Sequence, residues 1–272
     1  MRRRGFLLLC LLALSGLARR ASATGSAPAD TIRILFIGNS YTYFNNLPAM
    51  LAALAVAGKQ RPVKAEMLTV GGATLRSLWD EGTALRRIRE GHWTFVVLQE
   101  QSTLGAMTMV DGVPQVGDPT AFHVSVGRFD AEIKKAGART LLYLTWARRH
   151  HPEAQPLLTD AYRTIGAKLG ATAVPVGIAW ERALQADSAL VLHIADDSHP
   201  NPAGTYLAAS VFYATIFKES PEGLPGRIIG VGITQDGVVE GDHGLVELVN
   251  VEAPLARRLQ RVAWDVARAD HR

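Results

Sequence analysis

Apolar and polar positions follow two rhythms along the chain. Residues 32–37, IRILFI, form a short apolar run that stops at Gly38, which reads as a buried strand. Leu47, Met50, Leu51 and Leu54 then recur at i, i+3, i+4 and i+7, so one face of a helix is apolar. Asn46 stands where a cap belongs, Pro48 falls in the first turn, and Gly58 closes the helix. The exchange repeats. Residues 63–70, VKAEMLTV, predict a strand ending at Gly71-Gly72, and a helical stretch runs from there to about Glu90. Residues 93–98 predict a strand that runs into polar QEQS. Residues 105–118, rich in Gly, Pro, Asp and Met, read as a long loop near a site. A helix near 120–136 precedes a fourth strand at 140–146, a helix at 156–169, and a short fifth strand at 172–177. Pro175 marks that fifth strand as an edge. Helices follow at 179–186 and 202–217, then a Gly- and Val-rich excursion at 219–250 and a terminal helix at 253–267.

Strands that are apolar on both faces and alternate with helices imply a parallel sheet covered on both sides. Right-handed crossovers make that a three-layer, doubly wound α/β/α domain with five strands. In such sheets ligands bind outside the carboxyl ends of the strands. Here those ends read GNS, GG, QEQS and TW, so the unusual residues gather on one edge. The chain carries no internal repeat and no sign of a second domain.

The first residues follow a different pattern. Residues 1–23, MRRRGFLLLCLLALSGLARRASA, have three early arginines, an apolar run and a small-residue Ala-Ser-Ala site, the layout of a secretory signal. The apolar run is short of the roughly 20 residues of a membrane span. Arg3-Arg4-Gly5-Phe6-Leu7 is also compatible with the twin-arginine export route, an ordinary leader being the alternative. The expected organisation is a signal at 1–23, a tether at 24–30 and one domain at 31–272. The expected location is periplasmic or secreted, with no stable membrane span after processing. The leader holds five of the 29 basic residues and no acid, so the rest carries 24 basic against 25 acidic residues. Nothing in that balance calls for nucleic acid or an anionic membrane. The one cysteine, Cys10, lies in the leader, so the processed chain has no disulfide and no cysteine nucleophile.

The chemistry then turns on Ser40, placed just beyond the first strand by Gly38-Asn39. A serine nucleophile needs a base, a group to orient that base, and donors for the oxyanion. Of the eight histidines, His92, His193, His243 and His271 have no obvious helper, and His123 falls in a predicted surface helix. His150 and His151 reach the correct edge, in a stretch, ARRHHPE, that reads as a solvated loop. His199 lies in the polar loop ADDSHPNPAG, with Asp196 three residues before it. In a tight loop that spacing folds the carboxylate back onto the imidazole.

GNS after the first strand, GG after the second, QEQS after the third and a late Asp-x-x-His-Pro together resemble the SGNH/GDSL hydrolase family, over about residues 31–218. The resemblance implies a flavodoxin-like sandwich and acyl-ester hydrolysis by a Ser-His-Asp triad, with no metal and no other cofactor. It assigns Ser40 as nucleophile, His199 as base and Asp196 as orienting acid, and leaves out Asp197. It assigns the oxyanion hole to the backbone N–H groups of Ser40 and Gly72, with Gly71 as rival, and to a side-chain amide. The family's Gly-x-Asn-Asp block is replaced here by Leu98-Gln99-Glu100-Gln101, so Gln101 takes the asparagine's position and Gln99 is the alternative. Asn39 replaces the family's usual aspartate.

Other readings weigh less. Glu100 reads as a hydrogen-bonded structural acid, and Trp93 and Trp146 as core or pocket wall, Trp146 being the one placed to line a substrate site. No G-x-S-x-G, P-loop, dinucleotide fingerprint or H-E-x-x-H occurs. His193, Asp196, Asp197 and His199 lie too close in sequence to converge as metal ligands. The expected protein is an exported serine hydrolase acting on a small-molecule or carbohydrate ester, with O-acetyl or short acyl esters of carbohydrates preferred. The alternatives are an inactive carbohydrate- or ligand-binding module on the same fold and an acyltransferase.

Overall fold

The computed structural model describes residues 31–106, 109–110, 112–234, 237–238 and 244–270. The expected leader and tether, Cys10, His243 and His271 lie outside them. The chain runs β1 (Ile32–Gly38), α1 (Ser40–Tyr43), α2 (Leu47–Ala57), β2 (Val63–Thr69), α3 (Leu75–Glu81), α4 (Thr83–Glu90) and β3 (Phe95–Leu98). A two-residue hairpin of β4 (Met109–Val110) and β5 (Val113–Pro114) leads to α5 (Thr120–Lys135), β6 (Arg139–Tyr143), α6 (Gln155–Leu169), β7 (Thr172–Val174) and α7 (Val176–Ala186). Last come α8 (Pro202–Phe217), β8 (Arg227–Val231), β9 (Leu245–Asn250) and α9 (Ala253–Ala269).

The main sheet has the order β2-β1-β3-β6-β7, and all its neighbours are parallel. This is the expected five-stranded doubly wound sandwich. Alternate residues of β1 go to opposite layers, as strand geometry requires. Ile32, Ile34 and Phe36 meet α2, α7 and α8, while Leu35 and Ile37 meet the layer that contains α3, α5 and α6. Among the described residues no helix is long and apolar enough to cross a membrane. The strand order reverses between β1 and β3, so the crevice of this fold opens where those two strands end. Residues 39–40 and 99–101 follow directly.

Local chemistry explains where the elements depart from expectation. The helical stretch before Glu90 splits at Gly82, whose φ of +85° ends α3 in a left-handed turn. The fifth strand stops at Val174, because Pro175 has no N–H for a ladder and α7 begins at Val176. β7 is an edge, as Pro175 indicated. The 219–250 excursion contains the antiparallel β8–β9 pair, whose Ile228, Leu248 and Val249 join the core on the α8 side. Trp146 does not line a substrate site. It is fully buried, which corrects the possible wall role read from its position after β6.

Candidate active site

β1 ends at Gly38, and close approach is the reason for glycine there. A Cβ would lie 2.5 Å from Gln99 Oε1. The space lets the Gln99 side chain lie across the strand end and accept from Asn39 N–H at 2.9 Å and from Thr42 Oγ1 at 3.0 Å. Gln99 Nε2 donates to Asn39 Oδ1 at 2.9 Å and to Glu100 O at 2.6 Å. Both amide hydrogens are thus engaged in a fully buried side chain, and Gln99 has none to offer an oxyanion. Asn39 in turn caps α1 by accepting from Tyr41 N–H, and its Nδ2 donates to Ala73 O at 2.9 Å. An aspartate could not make that last bond, so the asparagine at 39 ties the Ser40 turn to the Gly71-Gly72 loop.

Ser40 is the first residue of α1, where a helix leaves its own N–H without a ladder partner. Its Oγ lies 2.7 Å from His199 Nε2. His199 Nδ1 lies 2.5 Å from Asp196 Oδ2. The other carboxylate oxygen, Oδ1, accepts from the Ser198 and His199 N–H groups, each at 2.9 Å. That folded loop is why a three-residue spacing brings acid and imidazole together. Burial pushes the Asp196 carboxyl up, but the His199 ring and the two backbone donors outweigh it, and the group stays below its ordinary range. An ionised Asp196 accepts from Nδ1–H, which leaves Nε2 free to accept the Ser40 hydroxyl proton.

Aromatic residues hold this pair in place, and of these the sequence reading singled out Trp146 but not Tyr41, Phe44 or Trp180. Phe44 stacks on the His199 ring at 4.4 Å, and Tyr41 meets its edge at 5.5 Å. Trp146 is stacked between Tyr41 (4.6 Å) and Trp180 (3.9 Å), the three ring planes nearly parallel, and donates from Nε1 to Ser198 O at 3.0 Å. Ser198 Oγ and the Tyr41 hydroxyl are 2.7 Å apart. Asn45 Nδ2 donates to Pro200 O at 3.0 Å. The loop is therefore pinned from both sides. The signal for Tyr41 and Phe44 was their position directly after GNS.

The cleft has a volume of about 380 Å³ and is lined by Ser40, Gly71, Gly72, Gln101, Arg148 and His199 among others. Gly72 has a φ of +69°, a conformation that glycine adopts without strain. Among the described residues Gln101 Nε2 makes one bond, to Ser102 Oγ at 3.3 Å, and its Oε1 accepts from Thr103. The structure thus places Ser40, His199, Asp196, Gly72 and Gln101 around one cleft, and Gln99 beneath it. Three of the other described histidines have partners elsewhere. His150 pairs with Asp197 at 2.7 Å and His151 with Glu153 at 3.0 Å. His193 is buried, with Nε2 3.3 Å from Ala147 O, and burial pushes its pKa down. The stretch read as a solvated loop also carries Arg148, which lines the cleft.

Glu100 braces the loops behind the cleft. Its carboxyl accepts from Leu75 N–H at 3.2 Å and Gln101 N–H at 2.7 Å, and it is 1 % exposed. Burial pushes its pKa up to about 7, against the pull of those two donors. A folded-state pKa above the unfolded value means that the folded protein holds the proton more tightly. Stability then falls as pH rises from about 4.5 to about 7, by at most about 3 kcal/mol. Urea midpoints at pH 5 and pH 8 are expected to show this loss in wild type and to draw together in Glu100→Gln. An equal pH dependence in both proteins would remove Glu100 as its source.

No family model matches the chain, and no curated protein matches it. Solved structures do. A protein from Slackia heliotrinireducens described as an SGNH hydrolase is 32% identical, over 68% of this chain and 99% of that one, with a TM-score of 0.55. A DUF4886 family protein from Bacteroides uniformis is 15% identical over 87% of this chain and 95% of that one, with a TM-score of 0.58. An acetylxylan esterase from Geobacillus stearothermophilus is 16% identical over 66% of this chain and 92% of that one, with a TM-score of 0.51. The last two likenesses concern the fold.

Proposed function

Because the chain belongs to the SGNH hydrolase family, we propose that it is an exported serine esterase that removes O-acetyl or other short acyl groups from carbohydrates. The observation that carries this reading is the line from Ser40 Oγ through His199 to Asp196, at 2.7 and 2.5 Å, at the wall of an open cleft. Ser40 attacks the ester carbonyl while His199 Nε2 takes its proton. His199 then gives that proton to the leaving alcohol, and Asp196 keeps the imidazole in the required tautomer. The Ser40 and Gly72 N–H groups and the Gln101 amide receive the oxyanion. Water, activated by His199, releases the acid from the acyl-enzyme.

The fold likeness to an acetylxylan esterase supports the acetyl-carbohydrate class, and the cleft volume of about 380 Å³ supports a small ester. The leader pattern at 1–23 supports export. The test is fluorophosphonate labelling of the purified protein beside turnover of p-nitrophenyl acetate and acetylated oligosaccharides. Labelling with acetate release supports the reading, and a folded protein that does neither overturns it. Sequencing the N-terminus of the protein from its native host checks export, with a start near Thr24 expected. For the third oxyanion donor, Gln101→Ala is expected to lower kcat about 10²-fold with little change in KM. Unchanged turnover would remove Gln101 from the oxyanion hole.

A further inference from the structure

We propose that Arg148 is an anion-binding subsite of the catalytic cleft and that the physiological ester carries a carboxylate. This rests on the hydrolase reading above. Arg148 follows β6 on the carboxyl edge of the sheet and lines the same cleft as Ser40, Gln101 and His199. Its Nη2 donates to Ser102 Oγ at 3.2 Å, while Nε is buried with no hydrogen-bond partner among the described residues. Among those residues it has no carboxylate within ion-pair distance. Among the described residues the acids near the cleft are engaged elsewhere. Asp196 holds His199 and two backbone N–H groups, and Asp197 holds Arg149 at 3.5 Å and His150 at 2.7 Å.

Arg148 is half-buried, with Nε shut off from water and no counter-charge beside it among the described residues, which is costly, and an arriving anion offsets that cost. The planar guanidinium fork offers five N–H donors and fits a carboxylate through two parallel bonds. Among the described residues that line the cleft, Arg148 is the one lysine or arginine, so the charge suits a monoanion better than a phosphate dianion. The carboxylate can sit in the alcohol part, as in a uronic acid, or in the acyl part, as in a dicarboxylic half-ester. Both present the same chemistry to Arg148. A rival role is indirect, since Ser102 Oγ accepts from both Arg148 and Gln101, and Arg148 would then only position Gln101.

The test compares kcat/KM for matched acidic and neutral esters. O-acetylated glucuronic acid against O-acetylated glucose probes the alcohol side. Mono-p-nitrophenyl adipate against p-nitrophenyl hexanoate probes the acyl side. In one pair the wild-type acid-to-neutral ratio is expected to be about 10 or more, and Arg148→Met to bring it down about 10-fold, to near one, mainly through KM. Arg148→Lys should retain part of the preference, because an ammonium supplies charge without the fork, and it serves as the readout where the methionine variant does not fold. Ratios near one in both pairs, or equal losses for acidic and neutral esters, overturn the proposal, the second outcome making Arg148 a positioning residue. Calorimetry separates this from the parent reading. With both pairs tried, Ser40→Ala should bind at least one acidic ester more tightly than its neutral match, and adding Arg148→Met should abolish the difference. A wild type without labelling or turnover would sink the hydrolase reading. The same calorimetry would then judge the subsite, with no acid preference overturning it.

Discussion

Ser40→Ala is expected to fold as wild type does and to lose ester hydrolysis by about 10⁴–10⁶-fold, together with all fluorophosphonate labelling. Among the described residues the hydroxyl has one partner, His199 Nε2 at 2.7 Å, and the cap of α1 belongs to Asn39. Removing one oxygen from the cleft wall therefore leaves the turn and its supports in place. The loss falls on kcat, because the attacking atom is gone while the donors and the cleft remain. Comparison of melting curves with p-nitrophenyl acetate turnover decides the matter. A well-folded variant with undiminished turnover would mean that Ser40 is not the nucleophile and that His199 acts on water or on another group.

Trp146→Ala is expected to cost about 3–5 kcal/mol of stability. In a domain of this size that lowers the melting temperature by about 10 °C or more. The ring is fully buried between Tyr41 and Trp180, so truncation opens a cavity between two aromatic faces. It also frees Ser198 O, the anchor of the loop that carries His199. Residual activity should therefore fall through kcat even at temperatures where the variant is folded. Trp146→Phe separates the two effects. It keeps most of the stack and removes the N–H, at a cost of about 1–3 kcal/mol for the buried carbonyl left without a partner. A Trp146→Ala protein that melts within 2 or 3 degrees of wild type, on the order of 1 kcal/mol, would refute a structural role for the stack.

The strands and most helices were legible because their signals are local. The β1 pattern, the i, i+3, i+4, i+7 face of α2 and the Asn46 cap each lie within a few residues, and backbone geometry turns them directly into elements. The break at Gly82 was missed because an apolar helical face continues on both sides of it. The strand expected through residue 177 was too long because the apolar run continues after Pro175 has ended the ladder.

The candidate site was legible for a related reason. Ser40, Gly72, Gln101 and His199 stand at the ends of elements, and a parallel sheet carries those ends to one edge. What stayed hidden depends on contacts between residues far apart in the chain. Gln99 and Gln101 are two residues apart and chemically identical. They part only because Gly38 admits the Gln99 side chain against the end of β1, 61 residues away, while Gln101 faces the cleft. Trp146 at a strand end reads equally as wall or core until Tyr41 and Trp180 close over it.

The order of apolar runs and turn residues by itself determined a doubly wound sheet and the edge on which its chemistry lies, because periodicity and chain connectivity carry that information without tertiary detail. Only the tertiary structure decided which polar side chains on that edge support the fold and which remain open to a substrate. Burial and hydrogen-bond satisfaction are set by neighbours that sequence spacing does not reveal. Gln99 is saturated, Asp197 holds Arg149 and His150, and Arg148 keeps donors in reserve at the cleft.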